Sequence, residues 1–115
     1  MTYILIHNTG CGSSKKGLAL LQENGIEPEV RKYMNAGEQL SVEELKDIAK
    51  KMGGVSPRAF LRDKDAAKFD IPPTMDDEKL FEAMAENPKL IQRPIGINGD
   101  KAVLGRPNEK LLSIT

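Results

Sequence analysis

The chain has 115 residues, 39% of them hydrophobic, and its 17 basic and 17 acidic residues give a formal net charge of zero. This length suits one domain over residues 1–115, because two halves would each bury too little apolar surface to be stable alone. A neutral chain has no general attraction for nucleic acid or for an anionic membrane, so any anion site must be local.

The first third of the chain predicts a strand, a helix and a second strand. The apolar run from Tyr3 to His7 is rich in strand formers and stops at Asn8-Thr9-Gly10, which favours a buried strand followed by a tight loop. A helix capped by Ser13 or Ser14 should follow and end at Asn24-Gly25. The second strand is expected from Glu29 to Tyr33.

The middle of the chain changes to a helical period. Apolar residues from Val42 to Met52 recur at helical spacing, Ser41 and Glu44 match a capping box, and Gly53-Gly54 ends the helix. Between Val55 and Pro73 a short helical piece should bury Phe60 and Leu61. The charged residues of this stretch are expected in solvent: Lys64, Asp65, Lys68 and Asp70. A further helix is predicted from Asp76 to Glu86, before Asn87-Pro88.

The last part of the chain predicts a hairpin and a helix. Short apolar runs flank Asn98-Gly99, a pair that suits the tight turn of a hairpin, and Pro107 can open a final helix. The order of elements indicates an α/β fold, in which a small mixed sheet is flanked by helices and a helical insertion occupies the middle of the chain.

The first residues, the lack of a long apolar segment and the cysteine count together indicate where the protein is located. The first residues lack both a basic flank and a long apolar core, and no segment reaches the roughly 20 apolar residues that cross a bilayer. Cys11 is the only cysteine, so an internal disulfide is impossible. We expect a cytoplasmic protein that does not bind membranes.

Cys11 is the strongest candidate for chemistry. It stands in HNTGCGSS, between the buried strand and the helix, where amide protons and the positive end of the helix dipole favour the thiolate. Gly12, Ser13 and Ser14 have small side chains, so the sulfur stays accessible and their backbone amides can reach an anion. The loop is interpreted as an anion cradle that carries a nucleophile, although a lone cysteine is often an inert buried residue.

His7 and the arginines are weaker candidates. His7 can orient or protonate the thiolate, or it can be a satisfied residue at a strand end. One Cys and one His do not make a metal ligand set, so no metal site is expected. Only five arginines occur beside twelve lysines, and two of them, Arg93 and Arg106, precede proline. A planar guanidinium suits a tetrahedral oxyanion, but both could also be surface residues beside turn prolines.

These motifs together resemble the glutaredoxin-coupled arsenate reductase family, whose members have a thioredoxin-like fold with an inserted helical region. The resemblance covers almost the whole chain. It rests on four segments: H-N-x-x-C-G-x-S at 7–14, S-P-R-A-F-L-R at 56–62, N-P-K-L-I-Q-R-P-I at 87–95 and G-R-P at 105–107. Thr9-Gly10 and Lys15 depart from the Pro-Ala and Arg of some relatives.

The resemblance implies the reaction and its residues. Cys11 is implied as the nucleophile that forms a covalent adduct with arsenic, Arg62, Arg93 and Arg106 as the residues that hold the oxyanion, and Pro94 as a cis-proline facing the thiol. Glutathione as cosubstrate and glutaredoxin as partner are implied as electron donors, with no bound cofactor. Ser14 stands where a redox C-x-x-C motif has its second cysteine, so the electrons must come from outside thiols. We expect a monomer.

Two other functions remain open. The same fold occurs in transcription regulators of the Spx type, which bind RNA polymerase, although Ser14 and Arg106 argue against that role. A glutathione-dependent thiol reductase with another substrate would keep Cys11 and need the arginines less.

Overall fold

The computed structural model describes residues 2–35 and 37–115. Its centre is a sheet of four strands in the order β2-β1-β3-β4. The strands are β1 Tyr3–Ile6, β2 Glu29–Arg31, β3 Ile95–Asn98 and β4 Lys101–Leu104. β1 is parallel to β2 and antiparallel to β3, and β3 and β4 form an antiparallel hairpin. The predicted small mixed sheet is therefore confirmed.

Helices cover both faces of this sheet. They are α1 Gly12–Glu23, α2 Val42–Lys51, α3 Asp63–Lys68 and α4 Asp77–Glu86, with 3₁₀ segments at Pro57–Phe60, Pro88–Leu90 and Asn108–Ile114. Leu5 packs with Leu21 and Leu111 beneath α1 and the last 3₁₀ segment. Ile6, the next residue, packs into the larger core on the opposite face. That core includes buried residues of α2 and α4, so the predicted helical insertion supplies most of it.

Local sequence signals account for most of the element ends. The Ser41–Glu44 capping box is present at α2, with both of its hydrogen bonds formed. Gly53 and Gly54 follow that helix with φ of 110° and 77°, a region that glycine adopts without steric cost. Gly99, at the hairpin turn, also has a positive φ, of 64°. The predictions for α2 and the hairpin are confirmed.

Three local predictions were wrong. Cys11 itself is the N-cap residue of α1, whereas Ser13 and Ser14 lie inside the helix, because the chain turns earlier than the serines suggested. β2 ends at Arg31, and Tyr33 lies in the following turn, fully buried. Asp65 is only 4% exposed, in contrast to Lys64, Lys68 and Asp70, because it faces Arg62.

The final helix is a 3₁₀ segment, which starts one residue after Pro107. The Arg93–Pro94 and Arg106–Pro107 peptide bonds are both cis. Among the described residues, no helix is long and apolar enough to cross a bilayer.

Candidate active site

The loop that carries Cys11 is shaped by Asn8. The Asn8 side-chain oxygen accepts a hydrogen bond from the amide of Gly10 at 2.9 Å, and its carbonyl accepts one from the amide of Cys11 at 3.0 Å. The amide of Asn8 in turn donates to Oγ of Ser14, at 3.3 Å. The buried Ser14 hydroxyl is thus used inside the loop, and Cys11 is held, half-buried, at the start of α1.

The surroundings of the sulfur favour the thiolate. Burial raises the pKa of Cys11, but hydrogen bonds from the backbone of Ser14, the side chain of Arg93 and the backbone of Ser13 lower it, and the net result is a lowered pKa. This is the effect predicted for a thiol at a helix N-terminus, with a nearby guanidinium added. Next to the sulfur, Gly12 leaves open space, since a Cβ there would meet nothing within 4 Å.

Arg93 is the buried cation of the site. It is 6% exposed, and its Nη1 donates to the carbonyl of Ile91 at 3.2 Å and to that of Lys89 at 3.5 Å. Its Nε is buried and has no hydrogen-bond partner among the described residues. Buried donors are nearly always paired in native proteins, and the acceptors that suit this N–H are the neighbouring Cys11 thiolate or an anion bound beside it.

Arg106 stands next to Arg93. Its Nε donates to the carbonyl oxygen of Arg93 at 3.0 Å, while the residue as a whole is exposed. Arg106 also lines an open cavity of about 410 Å³ with Ser13, Gly105, Pro107 and three charged or polar residues, Lys16, Asn108 and Glu109. The cavity therefore adjoins the Cys11 loop through Ser13.

Arg62 reaches the site because the insertion pairs with the segment before Arg93. Leu61 and Ile91 form an antiparallel bridge, and the amide of Arg62 donates to the carbonyl of Leu90 at 2.7 Å. The charges of Arg62, Arg93 and Cys11 all act on the pKa of the Tyr33 hydroxyl, so Tyr33 lies within electrostatic range of the three groups. Unlike Arg93, Arg62 forms an ion pair, with Asp65 at 2.5 Å.

Tyr33 is a residue that the sequence interpretation did not single out. It is fully buried, and its hydroxyl donates to the carbonyl of Ile91 at 3.2 Å, the same oxygen that Arg93 uses. Burial raises its pKa to about 12, so it stays a neutral phenol. Its only sequence signal was a bulky aromatic residue at the end of the predicted second strand.

His7 is buried beneath the loop, at 4% exposure. Its Nδ1 has no hydrogen-bond partner among the described residues. Burial, and next the charge of Lys32, lower the pKa of His7, so the imidazole is neutral at pH 7. Besides burial, the main influences on the Cys11 pKa come from Ser13, Ser14 and Arg93 rather than from His7.

The remaining arginines have other roles. Arg31 forms an ion pair with Glu44 at 2.8 Å, and Arg58 donates to the carbonyls of Pro72 and Met75. Among the residues that the structure describes, no group of three or more His, Cys, Asp or Glu side chains could hold a metal ion. The site thus combines an activated thiol with guanidinium donors, an arrangement suited to nucleophilic attack on a bound anion.

Known proteins resemble this chain along its whole length. An arsenate reductase of Haemophilus influenzae is 42% identical over 119 residues, with 99% of each chain covered. Uncharacterized protein YfgD of Escherichia coli K12 is 37% identical, over 96% of this chain and 93% of its own. The solved structure of an arsenate reductase from Vibrio cholerae has a TM-score of 0.90 at 40% identity, covering 100% of this chain and 98% of that one. Residues 6–114 match the ArsC family, and the chain therefore belongs to that family.

Proposed function

We propose that this protein reduces arsenate to arsenite, with Cys11 as the nucleophile and glutathione and glutaredoxin as electron donors. The observation that carries the proposal is the buried Arg93 guanidinium, which lowers the pKa of the Cys11 thiol and whose Nε has no partner among the described residues. A thiolate and an oxyanion repel each other unless a cation lies between them. In this proposal Arg93 offsets both charges, and the relatives named above as arsenate reductases support arsenate as the anion.

The first half of the proposed reaction forms a sulfur–arsenic bond. The Cys11 thiolate attacks arsenic of bound arsenate, and one arsenate oxygen leaves as water after protonation. Arg62, Arg93 and Arg106 hold the remaining oxygens, helped by the backbone amides at Gly12, Ser13 and Ser14. His7 is neutral and buried, so in this proposal it supports the loop from below and can exchange a proton only through a rearrangement.

The second half reduces the arsenic with an outside thiol. The glutathione thiolate attacks the Cys11 sulfur, the electron pair of the sulfur–arsenic bond passes to arsenic, and arsenite leaves. Cys11 is then a mixed disulfide with glutathione, and a glutaredoxin thiol removes the glutathione to restore the Cys11 thiolate. Since Cys11 is the only cysteine in the chain, no internal thiol can take over this step.

The cavity beside Ser13 supports glutathione as the donor. Glutathione carries two carboxylates and one ammonium at neutral pH. The cavity is lined by two cations, Lys16 and Arg106, and by one carboxylate, Glu109. Its volume of about 410 Å³ lies in the range usual for small-molecule sites. In this proposal the tripeptide lies in the cavity with its thiol directed past Ser13 to Cys11.

A coupled assay tests the proposal. Oxidation of NADPH is followed with glutathione, glutaredoxin and glutathione reductase, with and without arsenate. We expect arsenate-dependent turnover in the wild type and none in Cys11→Ser. A Lys16→Glu variant should raise KM for glutathione while leaving the rate of Cys11 alkylation unchanged. Glutathionylation of Cys11 without any arsenate-dependent turnover would overturn arsenate as the substrate and favour a thiol reductase acting on another compound.

A further inference from the structure

The helical insertion carries a buried carboxylate beside Arg62, one of the three arginines proposed to hold the oxyanion. Asp65 is 4% exposed, and its Oδ2 lies 2.5 Å from Nη1 of Arg62. Carboxylates are rarely buried in proteins without a charged or hydrogen-bonding partner, and Arg62 supplies that partner here. Asp63, two residues earlier in the same helix, is exposed to solvent.

The backbone holds this pair in one arrangement. Arg62 is the N-cap residue of α3, and its carbonyl accepts hydrogen bonds from the amides of Asp65 at 3.1 Å and Ala66 at 2.9 Å. The amide of Arg62 is bonded to Leu90, in the segment that leads to Arg93. Both members of the pair are therefore tied to one helical turn at the edge of the site.

The net charge of each arginine together with its side-chain partners differs as a result. Within the described part of the chain, neither Arg93 nor Arg106 forms an ion pair, and both bind backbone carbonyls. Arg62 and Asp65 together have no net charge. Arg62 keeps further N–H donors for an oxyanion, since a guanidinium carries five and the carboxylate is bonded to one nitrogen.

We propose that Asp65 is a specificity-determining residue that neutralises Arg62, so that this arginine orients the oxyanion by hydrogen bonds while Arg93 and Arg106 supply the net charge. The inference rests on the proposed binding of an anion at Cys11. Its consequence is a site that binds anions more weakly than three unpaired arginines would, and the loss of affinity is greatest for the most highly charged oxyanions.

The charge of the site is measured with two alkylating reagents of similar size. Iodoacetate is an anion and iodoacetamide is neutral, so the ratio of their rates with Cys11 reports the local charge and cancels the reactivity of the thiol itself. We expect Asp65→Asn to raise this ratio by about fivefold, the effect of one unit charge at a distance of several ångströms in a partly solvated site. The control Asp63→Asn removes the same charge from the exposed surface of α3 and should leave the ratio near the wild-type value.

Two further variants keep the test decisive if Asp65→Asn does not fold. Arg62→Gln alone should lower the iodoacetate-to-iodoacetamide ratio, and Arg62→Gln/Asp65→Asn should return it to the wild-type value. An unchanged ratio in folded Asp65→Asn, or equal ratios in these two variants, would overturn the role of Asp65. No arsenate is present in these measurements, so failure of arsenate turnover and failure of this inference are separate results.

Discussion

The two sides of the candidate active site, the sheet with Arg93 and the helical insertion with Arg62, differ in whether the arginine is paired with a carboxylate. On the sheet side, Arg93 is buried, donates to two backbone carbonyls, and has no carboxylate partner and no acceptor for Nε among the described residues. On the insertion side, Arg62 is 30% exposed and is paired with a buried carboxylate. The sheet side thus provides uncompensated positive charge, and the insertion provides a neutral pair with directed donors.

This difference shows that counting arginines does not give the charge of a site. Arg93 reaches Cys11 because β3 begins just after it, beside β1, which leads into the cysteine loop. Arg62 arrives through the bridge between Leu61 and Ile91, on a segment whose helix also brings Asp65. The first turn of α3, which holds Asp65 against Arg62, therefore cancels the net charge of this arginine.

Removing the buried charge on the sheet side should have the largest effect. Arg93→Ala should lower arsenate turnover by about 100- to 1000-fold, the usual cost of losing a donor that stabilises transition-state charge. It should also raise the pKa of Cys11, because the guanidinium helps to hold it low. The pH dependence of Cys11 alkylation by iodoacetamide measures this shift directly. Arg93→Lys is the matched control, with the charge kept and the planar donors lost, and equal turnover in wild type and Arg93→Ala would contradict the assignment.

Breaking the pair on the insertion side should lower the stability of the fold. Arg62→Ala leaves the Asp65 carboxylate buried without its cation, which should lower the free energy of unfolding by about 3 kcal/mol, near the lower end for buried pairs because Arg62 is partly exposed. Arg62→Ala/Asp65→Ala removes both charges and should recover much of this loss. Urea denaturation of the two variants gives the comparison. A double variant less stable than Arg62→Ala would show that the pair does not act as a unit.

The packing behind Arg106 offers a smaller test of the sheet side. A Cβ on Gly105 would lie 2.8 Å from Cγ of Leu111 and 3.0 Å from Cγ of Pro94, so Gly105→Ala should cost about 1–2 kcal/mol through overpacking. Gly12→Ala is the control, since it adds the same methyl group in open space. Thermal unfolding of both variants measures the difference. Equal stabilities would mean that Leu111 and Pro94 yield more easily than their contacts suggest.

The smallest effect is expected from His7, which is buried beneath the Cys11 loop. Its pKa in the folded protein is below the unfolded value of about 6.5, so the unfolded chain binds the proton more readily at acidic pH. Stability from this source is complete above about pH 6.5 and is lost as pH falls toward the folded pKa. Denaturation at about pH 7.5 and about pH 5 should show a smaller loss in His7→Gln than in wild type, by less than about 1 kcal/mol. A larger loss in the variant would reverse the sign assigned here.

Local signals in the sequence were enough to predict most of the elements. The capping box at Ser41, the turn at Asn98-Gly99 and the loop around Cys11 depend on residues close together in the chain, whose hydrogen bonds and backbone preferences do not need distant partners. Arg93 and Arg106 were candidates because each precedes proline, and the resemblance added Arg62. In the structure Arg93 acts on the Cys11 pKa, Arg106 binds the Arg93 carbonyl, and Arg62 acts on the Tyr33 pKa. Whether they bind an oxyanion stays a prediction.

The sequence by itself determined the mixed sheet with its helical insertion and an accessible thiol at the start of a helix. Only the tertiary structure decided that Asp65 is buried and that Tyr33 shares a carbonyl with Arg93. Asp65 stands among charged residues that pattern alone assigns to solvent, and its burial depends on how α3 meets the segment before Arg93. Tyr33 meets Ile91 across 58 positions of sequence, a contact that no local periodicity encodes. Burial and charge compensation depend on such long-range neighbours, so they became visible only in the folded chain.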